Sequence, residues 1–403
     1  MHHERAADES WLQAVDTVVD EAWPRPPLAL VHRGDALVGL DLEKGTRRFT
    51  VQVSAVTRAA LTPGRVILLA DRGETLVALD AATGATVWEH DLGLATRHVT
   101  VHGGVLVTAH RDLNRDDGLL RLHAFDAMTG SGLWTTLLGR ADPGPLVADA
   151  DHVWLRRTRY ATTATYQDAV VLDIADGRIL HELPLPAFPF GEAWSDGKHL
   201  VAAGSSSRTQ PPALVAYDLD SGASTWRLDL PGEAPTALAT SPEGRLVVLT
   251  GEGRVREIDA ATGAVVHETG IFVGENTAVR PFFGTPLLVQ DDRLVLLPGL
   301  RSRGATLLAY ARDTGKLVWE HPLTPEGFVG TAALGAAGDQ IWAFVLRGAR
   351  QDVSAELVVV DRVGSVSQRV DLSELAQGGR HPTVLQAYGA FLVVGRRDAS
   401  ILK

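Results

Sequence analysis

Three observations predict that this chain of 403 residues is all-β: an eight-bladed β-propeller of four-stranded antiparallel blades, plus a short N-terminal helix. A short motif returns eight times at intervals of about 40–50 residues, which is the length of one propeller blade. The clearest copies follow an alternating apolar run that is typical of a β-strand. No run of about 18 apolar residues indicates a membrane-spanning helix.

The motif reads A-x-D-x-x-T-G-x-x-x-W in its clearest copies. Residues 78–88 and 124–134 match it at every position, and residues 216–226 differ only by Ser221 in place of threonine. Residues 309–319 keep the Thr-Gly pair but have Ala311 at the aspartate position.

Weaker copies complete the set of eight. The aspartate positions are 41, 80, 126, 173, 218, 259, 311 and 361, which are 39, 46, 47, 45, 41, 52 and 50 residues apart. Chance recurrence at such regular spacing is very unlikely, so the repeat predicts the number of blades.

The chemistry of the motif explains why it recurs. Residues 75–80 alternate as a strand, and Asp80 can bond the backbone of the turn that follows. Gly84 supplies the left-handed residue of a bulged hairpin, and Trp88 on the next strand can wedge against the neighbouring blade. His181 and His267 stand where two blades would have the tryptophan, and we expect them to be smaller polar wedges.

These repeats resemble the PQQ-like propellers of the quinoprotein alcohol dehydrogenase superfamily, over roughly residues 25–403. The resemblance implies the fold and says little about activity, because that family includes quinone-dependent dehydrogenases, outer-membrane assembly lipoproteins and kinase sensor domains. The quinone-dependent members typically have an adjacent cysteine pair and a calcium ligand set. This chain has no cysteine, so we expect a member without the quinone cofactor.

The two ends of the chain pose the problem of closure. Residues 1–24 form the predicted extension, in which residues 9–23 have helical spacing with Ser10 as a plausible cap. Residues 28–52 supply strands of the first blade but no obvious innermost one. We expect the strands after His381 to complete that sheet and so close the propeller of residues 25–403.

Composition restricts the partners and the location. A formal charge of −11 disfavours nucleic acid and anionic membranes. The polar, acidic start of the chain lacks the pattern of a signal peptide, which favours the cytoplasm. A monomer is expected.

In a propeller, the connections between blades and the loops joining each blade's second and third strands share one face. The inter-blade segments combine arginines and aromatics, which suit an apolar molecule with a carboxylate or phosphate. The candidate ligand-binding residues are Arg58, Arg97, Phe190, Trp194, Arg280, Phe282, Phe283, Phe328 and Arg380. The loops within blades add further arginines, namely Arg111, Arg115, Arg156, Arg157, Arg159, Arg208, Arg301, Arg303, Arg347 and Arg350. Solvated arginines on polar loops are the plainer interpretation.

His98 and His381 are the candidate catalytic residues, since each follows an arginine at the predicted mouth of the channel. Asp142, Glu192 or Glu275 could pair with either histidine. A hydrogen-bonded or merely exposed histidine is the alternative.

No metal or other cofactor is expected. Residues 112–118 resemble the start of a calcium loop, but the glycine is one place late and His123 stands where the bidentate glutamate belongs.

Three functions remain open. The first is a scaffold or ligand binder that holds a small apolar anion or a protein or peptide partner. The second is a cofactor-independent cyclase or isomerase acting on a natural-product intermediate, which the long aromatic segment 272–283 favours. The third is a quinone-dependent dehydrogenase.

Overall fold

A computed structural model describes most of the chain. The described residues are 12–14, 16–19, 28–33, 36–41, 46–53, 56, 58–93, 96–111, 119–160, 165–186, 188–189, 193–205, 211–232, 234–271, 287–297, 306–323, 329–337, 340–347, 354–371, 383–387, 390–394 and 399–402.

The first two sheets share strands from the N-terminal region. Sheet 1 has the order β1 (Leu12–Ala14), β3 (Leu28–Arg33), β4 (Ala36–Asp41) and β5 (Thr46–Gln52). Sheet 2 has the order β2 (Asp16–Val19), β6 (Arg58–Thr62), β7 (Arg65–Ala70), β8 (Thr75–Asp80) and β9 (Thr86–Asp91), with the short 3-10 helix Asp71–Gly73 between β7 and β8.

The next three sheets follow in chain order. Sheet 3 consists of β10 (Thr96–His102), β11 (Val105–Arg111), β12 (Leu119–Asp126) and β13 (Gly132–Arg140). Sheet 4 consists of β14 (Asp142–Ala148), β15 (His152–Tyr160), β16 (Thr165–Asp173) and β17 (Ile179–Pro184). In sheet 5, β18 (Phe188–Pro189) and β19 (Trp194–Ser195) both pair with β20 (His199–Ser205), which is followed by β21 (Ala213–Asp218) and β22 (Ser224–Asp229).

Three more four-stranded sheets complete the set of eight. Sheet 6 consists of β23 (Pro235–Thr240), β24 (Leu246–Thr250), β25 (Arg254–Ile258) and β26 (Val265–Gly270). Sheet 7 consists of β27 (Leu287–Val289), β28 (Arg293–Leu296), β29 (Thr306–Ala311) and β30 (Leu317–Pro322). Sheet 8 consists of β31 (Val329–Ala337), β32 (Gln340–Arg347), β33 (Ser354–Val360) and β34 (Val366–Asp371).

The hydrophobic core lies between consecutive sheets. One cluster joins sheets 1 and 2, where Leu37 and Phe49 meet Leu68 and Leu79. Equivalent clusters join every following pair up to sheets 7 and 8. First strands of successive sheets also lie side by side, as β6 does with β10 and β10 with β14. Face-to-face packing with inner strands adjacent is the arrangement of a propeller, so the predicted eight-bladed fold is confirmed.

The repeated motif makes the same turn in each clear copy. A side-chain oxygen of Asp80 accepts bonds from the backbone N–H groups of Ala82 and Thr83 and from the Thr83 hydroxyl. These bonds hold the pKa of Asp80 below its usual value. Gly84 follows with a φ of 73°, the left-handed conformation that the sequence predicted.

Wedge residues on the outer strands reach the next sheet. Trp134 Nε1 donates a 2.9 Å hydrogen bond to the Ile174 carbonyl oxygen, and Trp226 Nε1 donates one of 2.7 Å to Ala260. His181 Nε2 makes the same kind of bond to the Asp220 carbonyl at 2.8 Å. His267 Nε2 repeats it to the Arg312 carbonyl at 2.9 Å. The two histidines are therefore polar wedges, as the sequence predicted.

The N-terminal helix is a correction. Residues 12–14 and 16–19 are the strands β1 and β2, not a helix. β1 pairs antiparallel with β3 and supplies the missing innermost strand of sheet 1, and β2 pairs parallel with β6. Open strand edges offer unpaired backbone groups, and pairing with them outweighs a weak helical periodicity in so short a segment.

The closure also differs from the prediction. The described C-terminal strands β35 (Thr383–Ala387), β36 (Ala390–Val394) and β37 (Ala399–Leu402) form their own three-stranded sheet and do not pair with residues 28–52. β35 and β36 lie beside β1. β1 therefore stands between β3 and the C-terminal sheet.

Candidate partner-binding face

One face of the propeller contains the start of every first strand, together with the ends of the second and fourth strands; we call it the start face. An ion pair between Arg111 and Asp142 crosses this face. Arg111 ends β11 in sheet 3, and Asp142 begins β14 in sheet 4. The pair therefore joins neighbouring sheets and shows that the end of β11 and the start of β14 lie on the same face.

A buried ion network lies beside this pair in sheet 4. Arg157 Nε donates to Asp168 Oδ1 at 2.8 Å, and its Nη2 donates to Asp168 Oδ2 at 3.1 Å. The same Nη2 lies 2.8 Å from Glu182 Oε1, and Nη1 donates to the Leu138 carbonyl of sheet 3 at 2.7 Å. Arg159 forms ion pairs with Asp168 and Glu182.

Burial divides this network into a base and a surface. Arg157 and Asp168 are only 2% and 3% exposed, whereas the side chains of Arg159 and Glu182 are 45% and 46% exposed. Burial disfavours the charged guanidinium of Arg157, but its hydrogen bonds to Asp168 and Glu182 outweigh burial and raise its pKa. A fixed pair of opposite charges therefore supports two charged groups that solvent can reach.

The structure corrects the placement of the sheet 4 arginines. The sequence placed Arg156, Arg157 and Arg159 in a loop, but all three lie in the nine-residue strand β15. In this strand Arg157 stands opposite Asp168 of β16. The sequence did not identify Asp168 or Glu182, because only the strand register shows that they meet the arginines.

Three candidate site residues lie at the start of adjacent inner strands. Arg58 is the first residue of β6, and Arg97 and His98 are at the start of β10. β2 occupies the inner edge of β6, where it pairs in parallel and sets Asp16 in register with Arg58. β2 also lies beside β10. β2 therefore lines the part of the channel where a small ligand was expected.

Trp194 packs between blades. It is 8% exposed in the core cluster that joins sheets 5 and 6, and its Nε1 donates to Thr240 Oγ1 at 2.9 Å. Its bonding group and its ring are thus engaged by the neighbouring sheet.

Asp142 was one of three carboxylates considered as a partner for His98 or His381, and it pairs with Arg111. The other candidates lie outside the described residues: Phe190, Glu192, Glu275, Arg280, Phe282, Phe283, Phe328, Arg380 and His381. The calcium-like residues 112–118 and the whole of segment 272–283 do so as well. The pocket and its catalytic histidines therefore stay a prediction.

Two further findings concern all of the residues that the structure describes. Among them, no group of three or more histidine, aspartate and glutamate side chains is placed to hold a metal ion. No helix in this part of the chain is long and apolar enough to cross a membrane.

A family model described as outer membrane protein assembly factor BamB matches residues 33–203 and 212–370, which is most of the chain. The chain belongs to this family. The match supports the resemblance to PQQ-like propellers that the motifs indicated. No curated protein matches the sequence of this BamB-family propeller.

Solved structures share its fold at low sequence identity. BamB from Moraxella catarrhalis is 16% identical with a TM-score of 0.53, and the match covers 85% of this chain and 92% of that one. A eukaryotic initiation factor is 10% identical with a TM-score of 0.63, covering 92% and 90%. The quinohemoprotein alcohol dehydrogenase ADHIIG from Pseudomonas putida is 10% identical with a TM-score of 0.52, covering 94% and 78%. Identities this low establish the fold alone.

Proposed function

We propose that this BamB-family propeller is a scaffold that binds a protein or peptide partner on its start face. The observation that carries the proposal is the network of Arg157, Asp168, Glu182 and Arg159, in which a buried ion pair fixes two exposed groups of opposite charge. A protein surface can present both charges in matching positions, and such complementarity gives specificity.

A small anion is the less suitable ligand for this part of the face. It would meet the carboxylates of Glu182 and Asp142 together with the arginines, and repulsion would cancel much of the attraction. The family description, which names an assembly factor, also favours a protein partner. The cytoplasmic location remains a prediction, and a cofactor-independent cyclase or isomerase remains the alternative function.

Site-specific photo-crosslinking in the native cell tests this proposal. A photoreactive residue at position 159 or 182 should give an adduct with the same protein. The same residue at Val363 should not, since Val363 is 72% exposed but lies in the turn between the third and fourth strands of sheet 8, on the opposite face.

Charge reversal supplies the second arm. With the photoreactive residue at position 182, the variant Arg159→Glu should lose the adduct while remaining folded. No adduct from the start face, or equal adducts from position 363, would contradict the proposal. So would calorimetric binding of inorganic phosphate or a fatty-acid carboxylate by a protein that gives no adduct.

A further inference from the structure

The outer strand of sheet 3 differs from the outer strands of the other seven propeller sheets. Outer strands expose an unpaired edge, and charged or proline residues normally prevent two such edges from joining. Seven outer strands carry these residues, including Arg48 in β5, Glu89 in β9, Pro184 in β17, Arg227 in β22, Glu268 in β26, Pro322 in β30 and Arg369 in β34. β13 carries neither charge nor proline from Gly132 to Gly139.

β13 is also longer, and it exposes two leucines. It has nine residues, whereas the other outer strands have six or seven. Leu133 and Leu137 are 47% and 55% exposed, and they flank Thr135 two residues away on either side. Trp134 and Thr136 turn towards sheet 4, where they donate to the carbonyls of Ile174 and Gly177.

We infer that β13 pairs antiparallel with β13 of a second copy of this chain, about a two-fold axis at Thr135. In that register Leu133 of each copy faces Leu137 of the other, and the two Thr135 residues face each other. Threonine pairs across strands are favourable, and leucine pairs gain from the apolar surface that they bury. A two-fold interface needs a surface that complements itself, and this order of residues provides one.

Charge complementarity supports the same pairing. The β12–β13 register shifts between Leu137 and Arg140, and beyond this irregularity the pairing brings Arg140 of one copy towards the turn that Asp126 begins in the other. The Asp126 carboxylate accepts bonds from its own turn, which hold its pKa below the usual value and keep it ionised. The two-fold axis creates this contact twice, and no like charges meet along the uncharged stretch between the two ends.

The size of the contact sets the expected affinity. Two nine-residue strands joined at their edges bury less than the roughly 1,200 Å² of a standard stable interface. The net charge of −11 on each copy also opposes association. The dimer should therefore form in the micromolar range and weaken at low ionic strength, where the net repulsion is least screened. It departs from the monomer expected from the sequence, and it does not depend on the partner proposed for the start face.

Sedimentation equilibrium on the full chain, from about 1 to 200 µM, provides the test. The weight-average mass should rise from that of the 43.1 kDa monomer towards twice that value. Leu137→Asp, which places a charge where β9 has Asp91, should leave a monomer with an unchanged melting temperature. Val318→Asp is the matched control, because Val318 is 50% exposed on β30, and this variant should dimerise like the parent.

The absence of cysteine from the chain allows a test of the register. Thr135→Cys should be joined to its own copy by a short bis-maleimide, because position 135 faces itself. Leu133→Cys alone should react poorly, since the two 133 positions lie roughly 14 Å apart along the strands; mixed with Leu137→Cys it should cross-link. A monomer at every concentration, or a dimer that is indifferent to Leu137→Asp and shows no such register, overturns the inference.

Discussion

The indole ring of Trp134 lies directly on Gly177 of the next sheet. A Cβ atom at position 177 would stand 2.3 Å from Trp134 Cε3, which is closer than any real Cβ contact. The indole nitrogen meanwhile bonds the carbonyl of Ile174 in the same turn. Gly177 thus adopts a positive φ and also leaves space for the wedge of the preceding blade, as do Gly84, Gly130, Gly222, Gly263 and Gly364.

Removing a wedge should therefore destabilise the protein without touching a ligand site. We expect Trp134→Ala to reduce the free energy of unfolding by about 3–5 kcal/mol, as large-to-small core substitutions do. Trp134→His should lose less, because His181 and His267 fill the equivalent place and keep the hydrogen bond. Urea unfolding measures the differences, and Leu133→Ala, at an exposed neighbour, should change the free energy by less than about 0.5 kcal/mol. A Trp134→Ala protein as stable as the parent would contradict the wedge.

The contact at Gly177 can be separated from its backbone conformation. Gly177 has a φ of 70° and Gly232 a φ of 74°, yet a Cβ at position 232 would meet nothing within 4 Å. Alanine at either position should cost about 1–2 kcal/mol for the left-handed conformation. Gly177→Ala should cost more in addition, because the Trp134 ring must move. Equal losses in chemical unfolding would show that the close approach is unimportant.

The sequence predicts the blades well because each motif is local. An aspartate, a glycine and a wedge residue within about nine positions determine a hairpin that needs no distant information. Even the substitutes His181 and His267 could be recognised, since their place in the motif defines their contact.

The ends of the chain and the start face are non-local, and there the prediction is weaker. β1 and β2 are three and four residues long, and only the open edges of β3 and β6 make them strands. The ion pair of Arg157 with Asp168 depends on the register between β15 and β16. A shift of that register by one residue would separate the two side chains.

The buried ion pair of the start face gives a further prediction. Asp168→Asn should lower the free energy of unfolding by about 3–5 kcal/mol, because the Arg157 charge would remain buried with a weaker partner. Asp229→Asn is the control: Asp229 pairs with Arg227 on β22, but both side chains are largely exposed, so its effect should be below about 1 kcal/mol. Thermal or urea unfolding measures the free energy of unfolding of both variants. Equal losses of this free energy would refute the view that burial makes the Arg157 pair important.

A stack of rings between sheets 2 and 3 predicts how stability depends on pH. The imidazoles of His110 and His123 lie parallel, with an interplanar angle of 5° and centroids 4.8 Å apart. His123 continues the stack through Phe125 to His90. Burial, and then the charge of Arg121, hold the pKa of His123 below its usual value of 6.5.

The lowered pKa of His123 determines whether stability rises or falls with pH. In the unfolded chain His123 takes up a proton near pH 6.5, whereas the folded protein resists it until a lower pH. The stability that neutral His123 contributes is therefore complete above pH 6.5 and is lost as the pH falls through 6.5 towards the folded pKa. His123→Gln keeps a side chain that can bond Thr135, the present partner of Nδ1 at 2.9 Å, but cannot titrate. Unfolding free energies measured from pH 8 to 5 should decline less steeply for this variant than for the parent. His181→Gln is the control, because it alters a histidine outside the stack; if it flattened the profile as much as His123→Gln, the stack would not be the source.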